Sequence, residues 1–109
     1  MCACAPAPKP APDRLLVQAG EEHLGALLQL TRGGENAEAY WSPDGKELTL
    51  QARGENDACD SIYRMKADGS APMSRVSKGE GAHTCAFMLP GGEIIYAETP
   101  KCPPKPDQS

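Results

Sequence analysis

Slid along itself by 47 residues, the chain lays Tyr40-Trp41-Ser42-Pro43-Asp44-Gly45 over Phe87-Met88-Leu89-Pro90-Gly91-Gly92. The same shift lays Leu48-Thr49-Leu50 over Ile95-Tyr96-Ala97, and a shift of 46 lays Leu30-Thr31-Arg32-Gly33 over Val76-Ser77-Lys78-Gly79. A period of this length with turn prolines and glycines in step means that one supersecondary unit recurs, and such units bury their faces against one another. This constrains the fold more than any single motif does.

The content of one period is read from its turns and its alternation. Ser42-Pro43-Asp44-Gly45 suits a tight turn, because proline presets the first central φ and Asp-Gly tolerates the angles that follow. The residues after it put Leu48, Leu50 and Ala52 on one face and polar side chains on the other, the pattern of a half-buried strand. Ser61 to Met65 reads as a third strand closed by Asp68-Gly69, and a short fourth follows around Met73 to Ser77. Strands are expected at 27–31, 37–42, 47–53, 61–66, 73–77, 84–89 and 93–98, with one candidate short helix within 14–30 carried by Leu15, Leu16, His23, Leu24, Leu27 and Leu28. The fold class is all-β: one antiparallel four-stranded propeller blade at 36–77, preceded by the last strand of another blade and followed by a half blade at 81–99.

Three stretches, "LTRGGENAEAYWSPDGKELTLQA", "DSIYRMKADGS" and "FMLPGGEIIYAET", resemble the WD40-like repeats of TolB-like β-propellers over residues 27–99. The resemblance implies bacterial, mostly exported proteins that use the propeller to bind other proteins or carry it beside a serine peptidase. Such propellers close with about six or seven blades, so the resemblance implies an incomplete β-propeller, read as a fragment of a longer protein. Gly91-Gly92 in place of Asp-Gly after Pro90 departs from the repeat's usual turn. With neighbouring blades missing, the isolated chain is expected to expose sheet faces and edges, and self-association would cover them.

Composition sets the limits of the folded part. All five aromatic residues, Tyr40, Trp41, Tyr63, Phe87 and Tyr96, lie between positions 40 and 96. Residues 1–13 form a Pro/Ala-rich tether, 14–99 the partial propeller and 100–109 a Pro-rich tail. A formal charge of −4 without basic runs argues against nucleic acid or an anionic membrane surface as partner. No apolar stretch reaches the roughly 20 residues of a spanning helix. Ala3-Cys4-Ala5-Pro6 and the alternating Ala/Pro after it resemble the mature start of a bacterial lipoprotein, which makes Cys4 the candidate lipidation site and the periplasm or outer membrane the address. The competing reading makes Cys2 and Cys4 ordinary thiols.

Chain direction groups the other cysteines. If strands alternate as in a blade, Cys59, Cys102 and the pair His83 and Cys85 open on one rim. A disulfide between Cys59 and Cys85 is expected in an oxidising compartment, leaving Cys102 spare or as an alternative partner. Free thiols and a metal site with His83 are the competing readings, the last carried only by His83-Thr84-Cys85.

No catalytic residue or cofactor site is assigned. The serines lack a Gly-x-Ser-x-Gly context, and neither "TRGGEN" nor "LPGGE" is followed by the Gly-Lys-Ser/Thr of a phosphate loop. The expected function is that of a non-enzymatic protein-binding scaffold in the bacterial envelope. The alternative is the N-terminal part of a propeller attached to a serine peptidase domain absent from this chain.

Overall fold

Residues 17–25 and 27–104 are described by a computed structural model. Six strands follow in order: β1 Glu35–Trp41, β2 Glu47–Arg53, β3 Ser61–Lys66, β4 Ser74–Arg75, β5 His83–Met88 and β6 Ile94–Glu98. The first four make one antiparallel sheet in the order β1-β2-β3-β4, and β5 with β6 makes a second, two-stranded sheet. Among the described residues there is no helix and no closed sheet.

β2 forms because its alternation serves two packed faces at once. Leu48 and Leu50 join Met65 of β3 in the core cluster, with Leu30, Tyr63 and Ala67 packed against it. The opposite face of β2 carries Thr49 and Gln51, and Gln51 pairs across with Ile62 of β3. This second face receives β5: the Thr49 hydroxyl donates to the Ala86 carbonyl at 3.4 Å, and the Cys85 N–H donates to Gln51 Oε1 at 3.3 Å. Thr49 and Ile62 are fully buried there, and Ala86 and Met88 are buried from the other side. The two sheets therefore stack face to face, and the polar Thr49 is tolerated because it has a partner.

The repeat exists in the backbone. β1 and β5 each carry a bulge at the same place, between Ala37 and Tyr40 and between Thr84 and Phe87, 47 residues apart. The bulged residues Glu38 and Cys85 both have positive φ, 49° and 56°, a conformation uncommon for side chains of these types. Each hairpin turn is closed by an equivalent bond, Gly45 N–H to Ser42 O and Gly92 N–H to Leu89 O, with the glycine at positive φ. The second turn is one residue shorter, because Ser42 N–H reaches the Glu47 carbonyl whereas Leu89 N–H reaches that of Glu93. After the turn the equivalence is therefore 46 residues: Leu48 matches Ile94, Thr49 matches Ile95 and Leu50 matches Tyr96. The alignment of Leu48-Thr49-Leu50 with Ile95-Tyr96-Ala97 is corrected by one position, which exchanges the faces of β6.

Three other expectations change. Residues 27–31 are not a strand, since no described neighbour pairs with them, although Leu30 still covers the core. The described part of 14–30 holds no helix; it makes two tight turns, Glu21 N–H to Gln18 O and Leu24 N–H to Glu21 O, around Gly20 at φ 95°. β4 shrinks to two residues, because Val76 and Ser77 both direct their N–H to the Ile62 carbonyl while the Ser77 hydroxyl accepts the Ile62 N–H.

Candidate functional site

Of the expected turn residues, Ser42, Pro43, Asp44 and Gly45 build a tightly bonded unit. The Ser42 hydroxyl donates to Asp44 Oδ1 at 2.7 Å and accepts the Glu47 N–H at 2.9 Å, while Asp44 Oδ1 also takes the Lys46 N–H at 3.1 Å. The bond from Ser42, then that from Lys46, holds the Asp44 carboxyl below its ordinary value of 3.8. Glu47 is held below 4.5 by its bond from Arg64 and then by that from Lys66 at 3.0 Å. Asp68-Gly69 closes the next hairpin, where Asp68 Oδ1 accepts the Ser70 N–H. Pro90, Gly91 and Gly92 form the shorter turn of the second hairpin.

Depressed carboxylate values fix a direction for acid. Such groups add stability above their unfolded-state pKa, and this is lost as pH falls through the folded-state value. Neither group contributes a slope between about pH 7 and 5, and both contribute to loss below about pH 4.5. Glu47→Gln is expected to flatten that acid limb in thermal melts recorded from about pH 6 to 3. An unchanged limb would mean that the Glu47 pairs with Arg64 and Lys66 are already screened by solvent.

The rim chemistry departs from expectation. Cys59 is bonded to Cys102, with Cα atoms 5.7 Å apart, and Cys85 is an exposed free thiol. The expected Cys59–Cys85 staple is therefore corrected. Cys85 lies inside the β5 bulge rather than at the rim end of the strand, whereas Cys59 and Cys102 both lie in segments that follow the second strand of a hairpin. That shared position was visible in the repeat and was the signal for the pairing. The bulge was not visible, since nothing in Glu38 or Cys85 favours left-handed backbone. His83 is fully buried, its ring edge-on to Tyr96 at 5.4 Å, and both ring nitrogens lack a hydrogen-bond partner among the described residues. Its cross-strand partner is Glu98, whose carboxylate makes no hydrogen bond to the ring, and among the described residues no three His, Cys, Asp or Glu side chains gather to hold a metal ion. Cys4 lies outside the described residues.

What the structure does assemble is apolar surface on both outer faces of the stack. On the first sheet a pocket of about 300 Å³ is lined by Leu30, Ala37, Ala39, Leu48, Leu50 and Met65, and Trp41 stands exposed on the same face of the sheet. On the second sheet Phe87 and Ile95 are cross-strand partners and both are exposed. Phe87 also meets Tyr40 edge-on at 6.4 Å. Surfaces of this kind are suited to binding other apolar surfaces. Compared with protein-family models, curated proteins and solved structures, the chain matches none.

Proposed function

We propose that this chain is a non-enzymatic, protein-binding scaffold built from TolB-like propeller repeats and carried in the bacterial cell envelope. The observation that carries the reading is the doubled hairpin, with bulge and turn recurring in the same register on two stacked antiparallel sheets. The first sheet corresponds to one blade and β5–β6 to the first half of the next. The Cys59–Cys102 bridge supports an oxidising address. Ala3-Cys4-Ala5-Pro6 supports a lipid anchor on a Pro-rich tether spanning 1–13, with 100–109 as the opposite tail. The exposed apolar side chains Trp41, Phe87 and Ile95 support binding.

The test uses the purified, oxidised chain. Envelope proteins that it captures are purified separately and titrated back in a calorimeter, alongside assays on a panel of peptide substrates. A saturable one-to-one titration with no turnover is the expected result. Turnover, or no reconstituted partner, overturns the reading.

A further inference from the structure

The repeat states what each open face lacks. At three pairs of equal positions in the two hairpins the exposure differs as it would with a neighbouring sheet on one side and none on the other. Leu48 and Leu50, by contrast, are covered by Leu30 and buried, and their counterparts Ile94 and Tyr96 are half-buried. Met88 is 4% exposed against the first sheet, and its counterpart Trp41 is 60% exposed. Thr49 is 0% exposed under the second sheet, and its counterpart Ile95 is 54% exposed. Ala86 is buried and its counterpart Ala39 is exposed. Around Trp41 and Ala39 the outer face of the first sheet is thus the kind that covers, and around Phe87 and Ile95 the outer face of the second is the kind that is covered.

We infer that a second copy of this chain docks head to tail. Its Trp41 and Ala39 lie over Phe87 and Ile95, in the places that Met88 and Ala86 hold over Thr49 within one chain. The interface continues the one already present between the sheets, because Phe87 touches Tyr40 across their edge. Isoleucine at the position of Thr49 suits this contact: within the chain Thr49 donates to the Ala86 carbonyl, whereas Ile95 offers only apolar area. The two faces differ and lie on opposite sides of the stack, so the contact is heterologous and repeats from copy to copy. The inference deepens the reading as a blade-type binding module by naming the partner, and it rests on that reading only for the blade-to-blade packing.

Sedimentation velocity on the purified, oxidised chain across a concentration series tests it, with no envelope component present, so its outcome is separate from that of the titration above. The wild-type chain is expected to form a concentration-dependent series beyond the dimer. Trp41→Lys and Ile95→Glu each change an exposed side chain and are expected to weaken association roughly tenfold or more. Mixed together, these two variants retain one good face each and should give a one-to-one heterodimer that grows no further. Ala39→Arg and Phe87→Glu serve as the second pair should either variant lose its strand signal in circular dichroism. A wild-type monomer at all concentrations, a wild-type series that stops at two, unaltered association of the variants, or a mixture that fails to pair overturns the inference.

Discussion

Replacing Cys59 and Cys102 together by alanine is expected to cost about 4 kcal/mol of unfolding free energy. The bridge joins residues 43 apart in sequence, and in the chain-entropy account a closed loop of that length removes many conformations from the unfolded ensemble. It also pins the segment after β6 to the loop between β2 and β3, so the second hairpin is tied to the first sheet by a covalent link as well as by packing. Hydrogen bonds that join it to the first sheet include His83 N–H to the Asp60 carbonyl at 3.0 Å, Thr49 to Ala86, and Cys85 N–H to Gln51. Urea denaturation of the oxidised chain, the reduced chain and the double variant measures the effect. Reduced wild type and variant should coincide, and Cys85→Ala, at an exposed thiol, should stay within about 0.5 kcal/mol of wild type. A loss under about 1 kcal/mol in the double variant would mean that the unfolded chain is already restricted without the bridge.

Gly81→Ala is expected to cost about 3 kcal/mol, with the loss concentrated in β5 and β6. A Cβ at this buried position would stand 1.5 Å from the Thr99 carbonyl oxygen and 2.7 Å from the carbon that bears it. Backbone cannot give way here as a side-chain tip would, because Thr99 N–H donates to the Ala82 carbonyl at 3.0 Å and the Ala82 N–H donates to the Thr99 hydroxyl at 3.0 Å. Relieving the clash breaks both bonds, and they are the ones that carry the second sheet past His83 and Glu98. Amide hydrogen exchange resolves the location: protection should fall in β5 and β6 and persist in β2 and β3. Equal loss in both sheets would mean that the two unfold as one unit. No loss would mean that the segment from 78 to 82 can shift without harm.

Much of the first sheet was legible in the sequence, and the reasons can be traced residue by residue. β2 and β3 occupy 47–53 and 61–66 as expected, because period-2 alternation and the Ser42 to Gly45 and Asp68-Gly69 turns act locally and agree with the packing. What escaped were features decided by contacts between distant segments. The turn over Pro90 to Gly92 loses one residue, and a single-residue shift moves Ile95 from the inner face to the outer one. The bulges at Glu38 and Cys85 have no side-chain signature, and the second of them takes Cys85 out of reach of the rim where chain direction alone had placed it. Leu30 reaches the core without a strand to carry it, since a segment with no pairing neighbour keeps its apolar contact but not its ladder.

The covalent loop between Cys59 and Cys102 also has a mechanical meaning. It encloses β3 to β6 and leaves β1 and β2 outside, so the first sheet is cut by the loop boundary between its two central strands. Tension applied through the two ends of the chain passes across the bridge and does not enter the loop. The enclosed 43-residue separation withholds roughly 150 Å of contour length from stretching. The strands that yield under load are therefore β1 and β2, peeled from β3, while the looped part stays short and keeps its second hairpin.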